Sequence, residues 1–138
     1  MYRVLTASKD TYITNKIINN KFRATDANTG QAGTLDLFKL YSESTLSGTD
    51  APTELSRILI KFDYDKVAEL TSSSLDTNHP SFNVTLELFE AVLGAPVPED
   101  FKIVAYPLSR SWSEGSGRNV AQFTDIDAAN FLTASYSP

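Results

Sequence analysis

The 138-residue chain contains no cysteine. Disulfides, thiolate nucleophiles and cysteine-ligated zinc are therefore excluded. Its single histidine, His79, excludes a multi-histidine metal site. A Ser-His-Asp mechanism would have to use His79, which sits between Asn78 and Pro80 with no supporting motif. A solvated loop histidine is the preferred reading. Basic clusters are also missing: 12 Lys and Arg stand against 17 Asp and Glu, a net charge of −5. Such a surface repels phosphates, so nucleic acid is not an expected partner. No apolar run approaches the length of a bilayer span, so no membrane partner is expected. The opening "MYRVLTASKDTYI" lacks the basic start, apolar stretch and small-residue cleavage site of a secretory signal. The expectation is synthesis and folding in the cytoplasm.

What is present reads as one globular domain. Hydrophobic residues make up 41% and charged residues 21%, ordinary proportions for a packed protein. A chain of this size removes roughly two-thirds of its unfolded surface from water. Strand signals dominate. "SRILIKFD" (Ser56 to Asp63) sets Ile58, Ile60 and Phe62 on one side, and Arg57, Lys61 and Asp63 on the other, with Leu59 among them. "FNVTLELFE" (Phe82 to Glu90) repeats that pattern with Phe82, Val84, Leu86 and Leu88. Thr34 to Tyr41 and Phe101 to Leu108 also read as strands, Thr11 to Thr14 is rich in β-branched and aromatic residues, and Tyr2 to Thr6 alternates weakly. Turn residues gather in "NTGQAG", "SESTLSGTDAP" and "GAPVPED". Short helices are expected near Asp65 to Leu70 and near Asp127 to Leu132, capped by nearby aspartates. The fold class expected is all-β, two packed antiparallel sheets with one or two short helices, as a single domain over residues 1–138. The apolar count thins after Leu132, so either the chain is the N-terminal part of something longer or partners supply the missing cover.

The stretch "SRSWSEGSGRNV" (residues 109–120) concentrates the candidate chemistry. Trp112 is the chain's only tryptophan. The preferred reading closes the end of a core with it, its indole N–H on a carbonyl. Glu114 then accepts from amides of the Gly-Ser-Gly turn, or pairs with Arg110 or Arg118. A sugar-binding reading instead exposes Trp112 as a stacking platform beside Glu114. Ser116 lies between glycines, yet neither a nucleophile elbow nor a phosphate loop surrounds it. Asp63 with Asp65, and Asp125 with Asp127, offer oxygens of the kind calcium takes, but the spacing lacks an EF-hand pattern. They read as caps, and neither metal nor cofactor is expected. Paired carboxylates for glycoside hydrolysis are not singled out by any spacing, and no catalytic residue is assigned. Arg57 is placed to bridge to Asp10 at the start of another strand, a contribution that is small if exposed. "NVT" at Asn83 matches a glycosylation acceptor but falls inside an expected strand.

Four motifs then appear in order: "DTYI", "SRILIKFDYDKV", "VTLELFEA" and "FKIVAYPLSRSWSEGSG". Together they resemble the DNRLRE-type β-sandwich domain, a jelly-roll-like module related to carbohydrate-binding modules. Asp10, Tyr12, Arg57, Phe62, Asp63, Leu86, Leu88, Trp112 and Glu114 occupy the corresponding places. The resemblance spans about residues 8 to 117, and "GRNVAQFTDIDAANFL" resembles versions found in phage virion proteins. The loop Ser42 to Pro52 is longer than the pattern, and the chain stops before the family's closing strands. The resemblance implies a jelly-roll-like antiparallel β-sandwich more than an activity. With no signal peptide and no credible catalytic set, the expected function is a non-enzymatic structural component of a bacteriophage particle, in a tail fibre, baseplate, neck or head-decoration position. Its expected partners are other virion proteins and copies of itself. Tyr2, Val4 and Leu5, and Ile17, Ile18 and Phe22, are the interface candidates, against burial in the protein's own core. The alternative is a non-catalytic carbohydrate-binding module that meets a cell-surface glycan through Trp112 and Glu114.

Overall fold

A computed structural model describes residues 3–40, 53–73, 75–91 and 100–135. Its regular structure is mostly strand, in antiparallel sheets, with one short helix. The chain divides into two compact units, Met1–Phe62 with Ser109–Pro138, and Asp63–Leu108.

The first unit is organised by two long strands, β1 (Ala7–Thr14) and β5 (Glu54–Phe62). β1 carries Thr11, Ile13 and Thr14, and β5 carries Ile58 and Ile60, β-branched residues whose stiff side chains suit a pleated surface. The two strands pair antiparallel, with Tyr12 opposite Ile58, Thr11 opposite Leu59 and Asp10 opposite Ile60, and a register shift between Ala7 and Lys9. Opposite residues share a face. One face therefore carries Tyr12, Ile58 and Ile60, and the other carries Thr11, Leu59, Ile13 and Arg57, as the alternation of "SRILIKFD" predicts. The short strand β4 (Lys39–Leu40) joins the far side of β5, giving the order β1-β5-β4.

Strands β2 (Ile17–Ile18) and β3 (Phe22–Arg23) form a separate two-stranded hairpin. Asn19 and Asn20 both have positive φ, 51° and 54°, and Lys21 N–H donates back to the Ile18 carbonyl. Two left-handed residues in succession make a turn whose twist matches that of the flanking strands, and asparagine tolerates that region well. Ile17 and Ile18 are half-buried there, and Phe22 packs on Phe123 with ring centroids 5.3 Å apart. Val4 is exposed and Leu5 half-buried ahead of β1, while Tyr2 lies outside the described residues.

The second unit holds the helix α1 (Tyr64–Ser73), at the place the sequence predicts. Asp63 precedes it and pairs with Lys66 at 3.7 Å, and Asp65 in the first turn complements the helix dipole.

Four sequence expectations are corrected. Phe82 to Glu90 and Phe101 to Leu108 form no strand, and every residue in both is exposed. Alternation specifies which face a strand would bury, but pairing requires an aligned neighbour, and neither segment has one among the described residues. Of Thr34 to Tyr41, only Lys39–Leu40 pairs as strand, and Tyr41 lies outside the described residues. Asp127 to Leu132 is a series of turns instead of a helix. There Asn130 Nδ2 donates to the Ile126 carbonyl, and its Oδ1 accepts from the N–H groups of Leu132 and Thr133. The side chain takes the backbone partners that a helix would have used.

The interior of the first unit is unusual in composition. Among the described residues, its buried apolar side chains are Tyr12, Ala24, Ala27, Ala128 and Ala129, and its buried polar ones are Thr11, Thr14, Asn28, Thr29, Ser56 and Asn130. The largest fully buried side chains are Asn28, Thr11, Thr14 and Thr29. Alanines release little apolar surface, so a large share of the specificity here rests on hydrogen bonds. Among the described residues, no buried side-chain nitrogen or oxygen lacks a partner, which is the condition under which a polar interior rigidifies a fold.

Candidate functional site

The residues at 109–120 meet the turn "NTG" and the turns after Asp125 at one polar junction. Asn28 is its centre. It is fully buried, and its Nδ2 donates to the carbonyls of Glu114 at 2.8 Å and Ala129 at 2.9 Å. Its Oδ1 accepts from the N–H groups of Gly117 at 2.7 Å and Gly30 at 3.2 Å. A side-chain amide has two donors and two acceptor positions, and here all four are used. Three stretches of backbone, far apart in sequence, are thereby held to one side chain.

Two side chains from this junction close the outer edge of β1. Along that strand Asp10 and Tyr12 turn their N–H groups away from β5. Glu114 Oε1 accepts from Asp10 N–H at 2.8 Å. Thr29 Oγ1 accepts from Tyr12 N–H at 3.3 Å and donates to the Tyr12 carbonyl at 2.5 Å. An unpaired strand edge invites association with another chain; at Asp10 and Tyr12 side chains from the two loops take the place of a neighbouring strand. Tyr12 itself is buried, which pushes its phenol up to about 12, and the Asp36 carboxylate adds to that shift by its charge and by hydrogen bonding.

The Gly-Ser-Gly turn is held from the other side. Asp125 Oδ2 accepts from Ser116 N–H at 2.8 Å and from the Ser116 hydroxyl at 3.0 Å. Ser113 N–H donates to the Ala134 carbonyl, Ala129 N–H to the Ser113 carbonyl, and Gln31 N–H to the Gly117 carbonyl. Backbone approaches backbone so closely that a side chain would not fit. A Cβ on Gly30 would fall inside the Glu114 carbonyl. Gly115 has a φ of 79°, and a Cβ there would lie 2.5 Å from Asn28 Oδ1.

The predicted residues divide accordingly. Asp10, Tyr12 and Glu114 are brought together at the β1 edge. Glu114 does accept a backbone amide, but that of Asp10, 104 positions away, instead of one in its own turn. Trp112 is half-buried beside them in sequence. Arg57 does not bridge to Asp10: its guanidinium lies over the Phe131 ring, 5.3 Å from the centroid. Register explains this, since Arg57 is opposite Ile13 and on the face opposite that of Asp10. Phe62 ends β5 with 37% of its surface exposed, and Asp63 is engaged with Lys66. Ser116 donates its hydroxyl to the Asp125 carboxylate. Among the described residues, no group of three or more histidines or carboxylates is placed to hold a metal ion, and no helix is long and apolar enough to cross a membrane. His79 bonds to Ser81, two residues on.

Sequence reasoning missed Asn28, Thr29 and Asn130. Their signal was weak: Asn28 and Thr29 open a turn-rich "NTG", and a turn residue is expected to satisfy its own backbone. That Asn28 also serves Glu114, Gly117 and Ala129 depends on distant contacts. What the arrangement does chemically is bind backbone to backbone. No protein-family model, curated protein or solved structure matches the chain.

Proposed function

We propose that this chain is a non-enzymatic structural component of a bacteriophage particle, with a jelly-roll-like sandwich as its domain type, working through interfaces with other virion proteins and with copies of itself. The observation that carries this reading is the exposure of two apolar segments. Val84, Leu86 and Leu88 are 76%, 48% and 49% exposed, and Phe101, Ile103, Val104, Tyr106 and Leu108 are exposed as well. Exposed apolar side chains gathered in such segments are a feature of interaction sites in soluble proteins. The junction supports the same reading from the opposite direction. Glu114, Asn28, Asp125 and Ser116 spend their polar groups on backbone or on each other, an arrangement suited to rigidity.

A carbohydrate-binding module is the second reading, and the half-buried state of Trp112, short of full burial, is the observation in its favour. Glu114 counts against it, because its Oε1 is engaged by the Asp10 amide. The deciding experiment is mass spectrometry of purified phage particles from the source lysate. Recovery in fixed ratio to the major particle proteins supports the virion role. Absence from particles, with the protein retained on cell-wall glycan and released by Trp112→Ala, overturns it in favour of the second reading.

A further inference from the structure

The exposed segment Phe82 to Leu88, within the second unit, has the same pattern read in either direction. Thr85 is its centre. Outward from Thr85 come Val84 and Leu86, then Asn83 and Glu87, then Phe82 and Leu88. Apolar answers apolar about that centre, and polar answers polar. Every residue of the segment is exposed, and among the described residues no hydrogen bond reaches Asn83 to Ala91. The turn before it is closed: Phe82 N–H donates to the His79 carbonyl at 2.8 Å, and Ser81 N–H donates to His79 Nδ1 at 3.2 Å. A segment with strand alternation thus leaves a closed turn with its backbone groups unpaired among the described residues.

We infer that two copies of this chain pair antiparallel through Phe82–Leu88, about a twofold axis at Thr85. In that register Val84 meets Leu86 and Phe82 meets Leu88, each twice, on one face. On the other face Thr85 meets Thr85, and each Glu87 lies opposite an Asn83, whose amide is a donor to carboxylates. The two Glu87 carboxylates are well separated along the ribbon. Other registers lose this complementarity. Centring on Leu86 makes the two Glu87 side chains diagonal neighbours, and centring on Glu87 sets them opposite each other. A shift by one residue sets Val84 and Leu86 against polar partners. The occupant is a second copy because the complement of this segment is the segment itself, which one chain holds once. The chain's other exposed apolar segment is a poorer match: Ile103, Val104 and Ala105 break its alternation, and Pro107 has no N–H to give. An isolated two-stranded ribbon is marginal in water. The pairing is therefore weak between separate chains and gains where many copies are held close, a setting that rests on the assembly reading above. Its test needs only the purified chain, so trapping can succeed where particle recovery fails, and the reverse.

The cysteine-free chain makes that test direct. Opposed residues of an antiparallel pair lie within disulfide reach. Oxidised Thr85→Cys chains are expected to give a disulfide dimer on a non-reducing gel at least about tenfold faster than Glu87→Cys chains, whose thiols share the face but lie beyond that reach. Asn83→Cys mixed with Glu87→Cys is expected to give the mixed dimer. Asn83→Glu opposes carboxylates on both sides of the axis and should slow Thr85→Cys trapping by about tenfold, with unchanged circular dichroism. Adding Glu87→Lys to that chain opposes acid to base and should restore the rate. Equal trapping of Thr85→Cys and Glu87→Cys overturns the proposal, as does an Asn83→Glu change without effect, or one that Glu87→Lys fails to reverse. So does a Glu87→Cys, Lys102→Cys chain that closes on itself at every dilution, which would show the two apolar segments of one chain paired with each other.

Discussion

The carboxylate of Glu114 accepts the backbone N–H of Asp10 at 2.8 Å, across 104 positions of sequence. That bond ends the outer edge of β1 with a charged side chain, in place of another strand. A charge-assisted bond of this type is worth more than a neutral one. Glu114→Ala leaves a part-buried amide without its partner and should lower stability by about 1–3 kcal/mol. Glu114→Gln keeps an acceptor oxygen and should lose less. Urea unfolding of the two variants checks the order; equal losses would show that the acceptor is not what matters.

Asn28 uses both ends of its amide. Asn28→Asp retains the oxygen that Gly30 and Gly117 need, but sets a carboxylate against the carbonyls of Glu114 and Ala129. Two acceptors facing a buried anion should cost on the order of 3 kcal/mol or more. The variant is expected to unfold at lower denaturant than wild type and to recover in part on acidification, when the introduced carboxyl is protonated and can donate once. A wild-type midpoint would refute the double-donor role.

Gly30 and Gly33 lie in the same turn-rich stretch and give a contrast. A Cβ on Gly30 meets the Glu114 carbonyl, whereas one on Gly33 has nothing within 4 Å. Gly30→Ala should destabilise by at least about 1–3 kcal/mol through forced separation of the two backbones. Gly33→Ala should change stability by less than about 0.5 kcal/mol. Thermal unfolding of the pair distinguishes close packing from a general intolerance of substitution in this turn.

Tyr12 predicts an alkaline limit. Its phenol is raised from 10.0 to about 12 in the folded chain, by burial first and by Asp36 second. Between those values the unfolded chain loses its proton while the folded chain keeps it, so unfolding gains. The stability is complete below pH 10 and is lost as pH rises towards 12, by about 2–3 kcal/mol for a shift of this size. Tyr12→Phe removes the titrating group and should flatten this loss in unfolding measured from about pH 9 to 12.

Local chemistry made part of this fold legible. The apolar alternation of Ser56 to Asp63, and the aspartates before Val67, specify a strand and a helix through interactions within a few residues, and β5 and α1 stand where they point. The candidate site was legible only by half: Trp112, Glu114 and the Gly-Ser-Gly turn drew attention to one side of the junction, while Asn28, Thr29 and Asn130 on the other side did not.

The remainder was decided by tertiary structure. "SRILIKFD" and "FNVTLELFE" carry the same period, yet the first is a strand and the second lies exposed. The difference is a neighbour: β1 lies alongside β5, and no described strand lies alongside Phe82 to Glu90. Asn28 and Asn130 differ in a similar way, one bonding chiefly to distant segments and the other to its own turn. Period, propensity and turn chemistry are properties of short stretches, so the sequence determines them alone. Pairing and side-chain-to-backbone ties join groups up to about a hundred positions apart, and only the folded chain brings those groups within hydrogen-bonding distance.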